Sequence, residues 1–126
     1  SITKLGTDMA VPDEQLEHIM AFYRAHLDQA GLTYVIFGHI GNNHVHVNIL
    51  PKTEAEYLRG KELYAVFAEE AVRVGGSPAA EHGIGKLKSA FLRKFLGDEG
   101  IEAMKAVKRV FDPDFRLGKG TLFECE

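Results

Sequence analysis

The segment after Pro12 repeats apolar side chains at the spacing of an amphipathic helix. Its apolar positions are Leu16, Ile19, Met20, Tyr23 and Leu27. Pro12 and Asp13 suit the first turn of that helix, and Gly31 suits its end. Residues 5–11 have the pattern of a strand that ends at Pro12. We therefore expect a strand over 5–11 and then a helix that closes at Gly31.

Two further segments are strand-like. Residues 32–37 are continuously apolar, which predicts a strand buried on both faces. Residues 44–50 alternate, with Val45, Val47 and Ile49 on one side and His44, His46 and Asn48 on the other. Asparagine tolerates positive φ, so Asn42-Asn43 predicts a two-residue hairpin turn between the strands.

The second half of the chain is mainly helical. Residues 53–74 carry one apolar stripe behind a capping box formed by Thr53 and Glu56. A turn and a short extended piece follow, and then helices are expected over 84–96 and 98–110, with a terminal strand at "GTLFE".

The order β-α-β-β-α-β over 5–81 is that of a ferredoxin-like unit. The predicted fold class is α+β, an antiparallel sheet with helices on one face and a C-terminal helical extension over 82–126. We expect these parts to form one domain over residues 1–126, because this length fits a single modest core.

Composition narrows the function classes. A net charge of −3 gives no reason to expect nucleic acid or an anionic membrane as a partner. No apolar run is long enough to predict a membrane span. The single cysteine, Cys125, cannot form an internal disulfide, which favours a cytoplasmic protein. The first residue is serine rather than methionine, so we expect the chain to be part of a longer protein.

The histidines of "GHIGNNHVHVN" (38–48) are the strongest chemical signal. With a two-residue turn, His39 would lie opposite His46, and Phe37 opposite Asn48, on one face of the hairpin. Two imidazoles so placed can bind one metal ion such as zinc. His44 lies on the same face but nearest the turn, and we assign it no ligand role. His18 and His26, on the first helix, are interpreted as structural.

A third ligand is needed for such an ion. The best candidate is Glu81 of "AAEHGIGK", and the adjacent His82 would then lie at the edge of the same site. Histidine can accept a proton near neutral pH, so His82 is the candidate general base. Gly83 and Gly85 let the backbone approach a ligand closely, and the helix start at Lys86 favours anionic groups.

Four motifs occur in order along the chain: "TDMAVP" (7–12), "GHIGNNHVHVN" (38–48), "AAEHGIGKLK" (79–88) and "FDPDFRLGKGTLF" (111–123). Together they resemble the C-terminal part of the FAD-linked oxidases, which include D-lactate dehydrogenase, the glycolate oxidase flavoprotein subunit and D-2-hydroxyglutarate dehydrogenase. The resemblance covers nearly the whole chain.

The resemblance implies a two-part enzyme that oxidises a D-2-hydroxy acid of the lactate or glycolate kind by hydride transfer to FAD. Its N-terminal domain, absent here, would hold most of the FAD, and this chain would be the cap, inactive alone. It further implies that His39, His46 and Glu81 bind a divalent ion, zinc or manganese, that His82 is the base, and that Asn48 lies near substrate and flavin. The cofactor contacts would come from Asn48, Gly83 and Gly85. The electron acceptor is left open, as is a peripheral membrane association of the longer protein.

Two departures from the family pattern stand out. The usual "GHxGDGNxH" appears as "GHIGNNHVH", in which Asn42-Asn43 replaces Asp-Gly and His44 replaces asparagine. The usual "NPGK" appears as "GKGT", so that Gly118 stands where an asparagine usually contacts the flavin region.

Two other functions fit parts of the pattern. A ferredoxin-like module that binds a metal or small molecule without catalysis needs only the histidine face. "HVHVNIL" also resembles the motif of histidine-triad nucleotide hydrolases, but the position of their nucleophilic histidine is Asn48 here.

Overall fold

The sheet is organised around the strand β4, His44–Ile49, which has partners along both edges. The structure is a computed structural model, and it describes residues 2–124. One edge of β4 pairs with β3, Tyr34–His39. The other edge pairs with two short strands, β1 (Leu5–Gly6) and β2 (Met9–Ala10). All of these pairings are antiparallel, which confirms the sheet of the predicted α+β fold.

The strand predicted over 5–11 is divided into β1 and β2 by Thr7 and Asp8. Both side chains are buried. The Thr7 amide donates to the carbonyl of Val47 at 3.0 Å, and Thr7 Oγ1 accepts from the Val47 amide at 2.9 Å. The side chain of Thr7 therefore replaces a backbone acceptor in the ladder, and the sheet continues past the break.

Two helices cover the face of the sheet that carries Val45, Val47 and Ile49. They are α1, Leu16–Gln29, which follows a 3₁₀ turn at Asp13–Gln15, and α2, Glu54–Arg73. Gly60 of α2 lies so close to Ile49 that an added Cβ would sit 3.4 Å from the Cγ2 atom of Ile49. Tyr23 of α1 and Phe67 of α2 pack with ring centroids 4.6 Å apart. These contacts form the core of this part of the molecule.

The cap predicted for α2 is present in a modified form. Thr53 Oγ1 accepts a hydrogen bond from the amide of Glu56 at 3.1 Å, as expected for an N-cap. The Glu56 carboxylate bonds the amide of Lys52 at 2.7 Å rather than that of Thr53. The cap therefore satisfies one amide before the helix and one within its first turn.

The expectation that the strand at 32–37 is buried on both faces is wrong. Val35 and Phe37 are 48% and 52% exposed. The reason is that β3 lies at an edge of the sheet, and α1 and α2 cover only the opposite face. Val35 and Phe37 share the uncovered face with His39, since residues two apart in a strand point the same way.

Ser77 forms an isolated bridge with Ala10 of β2 and so adds one residue at that edge of the sheet. The order across the sheet is then Ser77, β1 with β2, β4 and β3. This is the order that a β-α-β-β-α-β unit has when its fourth strand is reduced to one bridge. The ferredoxin-like assignment stays a prediction.

The described residues fall into two compact units, of which the first ends at His82 and the second begins at Gly83. The prediction that both belong to one domain stays a prediction. The second unit contains α3, Ser89–Phe111, whose helical geometry is interrupted at Gly97 with φ 69° and ψ 176°. The two predicted helices are thus present on either side of Gly97, but the first begins at Ser89 because residues 85–88 form turns.

The core of the second unit is formed by Leu92, Ile101 and Phe123. The terminal strand expected at "GTLFE" is wrong, since residues 120–123 form turns and bends and residue 124 has no regular structure. Cys125 lies outside the described residues. Within residues 2–124, none of the helices combines the length and apolar character that crossing a bilayer requires.

Candidate functional site

The register of the β3–β4 hairpin differs by two residues from the predicted one. His39 lies opposite His44, and Phe37 lies opposite His46. The predicted pairs of His39 with His46 and of Phe37 with Asn48 are therefore wrong. Because the slip is an even number of residues, His39 and His46 still share one face, and their ring centroids are 6.3 Å apart.

The register differs because the connection is longer than a two-residue turn. Residues Ile40–Asn42 form a 3₁₀ turn, and Asn43 alone adopts the left-handed conformation, with φ 49°. The side chain of Asn43 donates to the carboxylate of Asp13, and its carbonyl accepts from the amide of Val11 at 3.3 Å. Contacts with a distant segment thus hold this loop.

The three residues predicted as metal ligands lie together. His46 Nε2 is 3.3 Å from Glu81 Oε1, and His39 Nε2 is 3.8 Å from the same oxygen. With His44 included, one candidate ligand atom from each of the four side chains lies within 4.8 Å of the others. The arrangement therefore offers nitrogen and oxygen donors to a single ion.

The ring of His46 is oriented by the backbone of β1 and β2. Its Nδ1 atom is 2.9 Å from the carbonyl oxygen of Thr7. A carbonyl oxygen can only accept, so Nδ1 carries the proton and Nε2 keeps a lone pair. That lone pair faces the carboxylate of Glu81, which also only accepts hydrogen bonds when it is ionised. Two acceptors at 3.3 Å need a proton or a cation between them.

The carboxylate of Asp8, fully buried, is the anchor of the segment that carries Glu81 and His82. Its Oδ1 atom accepts from the amide of Glu81 at 3.1 Å, and its Oδ2 atom accepts from the amide of His82 at 2.9 Å. Oδ1 also bonds His44 Nε2 at 3.0 Å. The negative charge of Asp8 also affects Tyr64. The pKa of Tyr64 is raised to about 12, mainly by burial of the side chain and in addition by the charge of Asp8.

The imidazole of His82 stacks on that of His46. Their ring centroids are 5.2 Å apart and the ring planes differ by 12°. His82 Nε2 lies 3.4 Å from Glu81 Oε1, and the side chain is 59% exposed. The predicted base is therefore beside the predicted ligands and accessible from solution.

A pocket of about 780 Å³ opens over this cluster. Besides the histidines and Glu81, its walls include Lys4, Phe37 and the half-buried Asn48. Gly6 leaves room for the amide of Asn48, since an added Cβ would sit 2.8 Å from its Oδ1 atom. The pocket thus combines a cationic side chain, an amide and an apolar wall near the candidate ligands.

Three predicted or noted glycines belong to the second unit. Gly83 and Gly85 both have positive φ, 72° and 57°, and the carbonyl of Gly85 accepts from the amide of Leu122. Gly118 also has positive φ, 57°, and lines a separate apolar pocket in that unit. The assignment of Gly83 and Gly85 as cofactor contacts stays a prediction.

Sequence reasoning missed two residues of the cluster, Asp8 and His44. Asp8 lies within a predicted strand, where aspartate is uncommon, and this is a usable signal for a buried, partnered carboxylate. His44 is assigned no ligand role from the sequence because it lies nearest the predicted turn at Asn42-Asn43. With the observed register it lies directly opposite His39.

The chain is similar to proteins of one family. The family described as FAD linked oxidases, C-terminal domain, matches residues 1–122. The chain is 32% identical over 125 residues to glycolate oxidase subunit GlcD of Bacillus subtilis, an alignment that covers 96% of this chain and 26% of that protein. It is 29% identical over 118 residues to the mitochondrial D-lactate dehydrogenase [cytochrome] of Arabidopsis thaliana, covering 92% of this chain and 21% of that one.

A third relative is D-2-hydroxyglutarate dehydrogenase of Xanthomonas citri pv. viticola, at 36% identity over 94 residues. That alignment covers 71% of this chain and 20% of the relative. The chain thus spans about a quarter, or less, of the length of these curated relatives.

Proposed function

The chain belongs to the family of C-terminal domains of FAD-linked oxidases, and from this premise we propose that it forms the substrate-binding part of an enzyme that oxidises a 2-hydroxy acid with FAD. The names of the three relatives refer to glycolate, D-lactate and D-2-hydroxyglutarate. All three are 2-hydroxy acids that differ only at the α-carbon substituent. An N-terminal FAD-binding domain, which the family implies, supplies the flavin.

His39, His46 and Glu81 bind a divalent metal ion in this proposal. The observation that supports it most directly is the contact between His46 and Glu81. The lone pair of His46 Nε2 faces the Oε1 atom of Glu81 at 3.3 Å, and both atoms are acceptors that a cation between them would satisfy. Imidazole and carboxylate ligands suit zinc, and manganese is the alternative. When bound, the ion would polarise the hydroxyl of the substrate and lower its pKa.

His82 is the general base. Its Nε2 atom, at the edge of the cluster, accepts the proton of the substrate hydroxyl. The flavin, when bound, would supply the acceptor for the hydride of the α-carbon, so that the hydroxy acid would leave as a 2-oxo acid. The bond from its backbone amide to Asp8 and the stacking of its ring on His46 position His82 for this step.

The rest of the pocket binds and orients the substrate. The ammonium group of Lys4 favours the carboxylate of a hydroxy acid by charge. The amide of Asn48 offers one donor and one acceptor to substrate or flavin, and Phe37 provides an apolar surface. Gly83 and Gly85 let the backbone approach the cofactor.

The first experiment is anaerobic mixing of the full-length protein with glycolate, D-lactate and D-2-hydroxyglutarate while the visible absorbance of the flavin is followed. We expect at least one of them to bleach the flavin and the L-enantiomers to be poor substrates. Removal of metal by a chelator should abolish bleaching, and added zinc or manganese should restore it. Failure of every 2-hydroxy acid to reduce the flavin would overturn the proposed reaction.

The metal is tested separately on the 126-residue chain by elemental analysis after loading and gel filtration. Wild type should retain about one ion per chain, and Glu81→Gln should retain much less because one charged ligand is gone. Glu62→Gln, at an exposed position of α2, is the matched control. Equal metal content in the two variants would exclude Glu81 as a ligand.

A further inference from the structure

His44 has one ring nitrogen within 4.8 Å of a candidate ligand atom of each of the three proposed ligands. It lies directly opposite His39 across the hairpin, and their ring centroids are 5.6 Å apart. It is two residues from His46 on the same strand face, with ring centroids 4.4 Å apart. Its Nδ1 atom is 4.0 Å from Glu81 Oε2, whereas His39 Nε2 and His46 Nε2 lie 3.8 Å and 3.3 Å from Glu81 Oε1.

The tautomer of His44 is set by Asp8. His44 Nε2 lies 3.0 Å from Asp8 Oδ1. This carboxylate oxygen also accepts from the amide of Glu81, so Nε2 of His44 carries the proton and Nδ1 keeps its lone pair. A histidine that donates one N–H to a carboxylate and presents the other nitrogen to a cluster has the arrangement found around protein-bound metals. The ring is buried, so this orientation is fixed.

We propose that His44 is a fourth protein ligand of the ion, so that the donor set is three imidazole nitrogens and one carboxylate. This inference rests on the metal site of the proposed function. A nitrogen-rich set favours zinc, cobalt, nickel and copper over magnesium, calcium and manganese. The chain should therefore hold such an ion tightly before any substrate or flavin is bound.

The alternative role for His44 is purely structural, as the group that buries and satisfies Asp8. The variant His44→Gln separates the two, because the glutamine amide nitrogen can reach the position of His44 Nε2 and still donate to Asp8, while the Nδ1 donor is lost. His26→Gln is the matched control. His26 lies on α1, bonds the carbonyl of Phe22, and belongs to neither ligand cluster found among the described residues.

The experiment titrates the metal-free 126-residue chain with Co²⁺, followed by visible absorption, and then with Zn²⁺ against a chromophoric chelator. Wild type and His26→Gln should bind one ion with the intense visible spectrum of four-coordinate cobalt. His44→Gln should bind Zn²⁺ at least about 10²-fold more weakly, beyond the range typical of losing an outer hydrogen-bond partner. Its cobalt spectrum should weaken and shift. Far-UV circular dichroism checks that the variants are folded.

Four results would overturn the inference. If His44→Gln keeps the wild-type affinity, or loses affinity but keeps the wild-type cobalt spectrum, His44 is not a ligand although the metal site itself stands. If wild type binds neither Co²⁺ nor Zn²⁺, the metal part of the proposed function fails together with this inference. X-ray absorption of the zinc-loaded wild type decides the matter without any variant, because three imidazoles are expected and two would contradict His44.

Discussion

Replacing Asp8 by asparagine should loosen the segment that carries Glu81 and His82. In the native chain the carboxylate accepts hydrogen bonds from His44 Nε2 and from the amides of Glu81 and His82. The asparagine oxygen can take the place of Oδ1 and keep two of them. Its NH₂ group then faces the amide of His82, so one charge-assisted bond is lost and two donors confront each other.

The magnitude follows from that exchange. A hydrogen bond to a charged group contributes about 1.5–3 kcal/mol. We expect Asp8→Asn to lower the free energy of unfolding by about 2 kcal/mol. The affinity for zinc should fall about 10–100-fold, as is typical when a partner of a metal ligand is removed.

Urea unfolding followed by tyrosine fluorescence measures the first effect. The chain has four tyrosines and no tryptophan, and Tyr23, Tyr34, Tyr57 and Tyr64 all lie in the first unit. Asp114→Asn, at an exposed position, is the control and should stay within about 0.5 kcal/mol of wild type. An Asp8→Asn variant as stable as this control would refute the role given to the buried carboxylate.

Two further predictions concern stability. Hydrogen bonds from Arg73 and from His18 lower the pKa of Glu70 from 4.5 to about 2. The ionised carboxylate therefore stabilises the fold fully above pH 4.5, and this contribution is lost as the pH falls toward 2. Between pH 6 and 3, the free energy of unfolding in urea should fall more in wild type than in Glu70→Gln, and equal decreases would contradict the ion pair. Gly38→Ala should lower the free energy of unfolding by at least about 2 kcal/mol, because Gly38 has φ 150° and an added Cβ would lie 2.4 Å from the carbonyl oxygen of His44. Gly41 has open space around it, so Gly41→Ala is the control and should leave the urea midpoint nearly unchanged.

The helices could be predicted because their signals are local. The apolar spacing of α1 and the N-cap at Thr53 are each contained within one or two turns of sequence, and both appear in the structure. The face alternation of β4 was predicted for the same reason. It placed His46 and Asn48 on the side of the sheet opposite to Val47, and this assignment survives the change of register.

The errors arose where distant residues decide the conformation. The hairpin loop is held by the bond from Asn43 to Asp13 and by the contact with Val11, and no rule for two-residue turns contains these partners. The burial of β3 depends on what covers the second face of the sheet, which its apolar sequence cannot specify. The adjacency of Glu81 to the histidines was inferred from chemistry alone, and its physical cause, Asp8, is a tertiary contact spanning 73 residues.

The rate of flavin reduction in the full-length protein tests the proposed function most directly. In anaerobic stopped-flow mixing with its 2-hydroxy acid, His82→Gln should reduce the flavin about 10²–10⁴-fold more slowly than wild type, because the base that takes the hydroxyl proton is gone. Its flavin and metal contents should be unchanged, and His26→Gln should react like wild type. A His82→Gln protein that reduces its flavin at the wild-type rate would contradict the assignment of this site to hydroxy-acid oxidation.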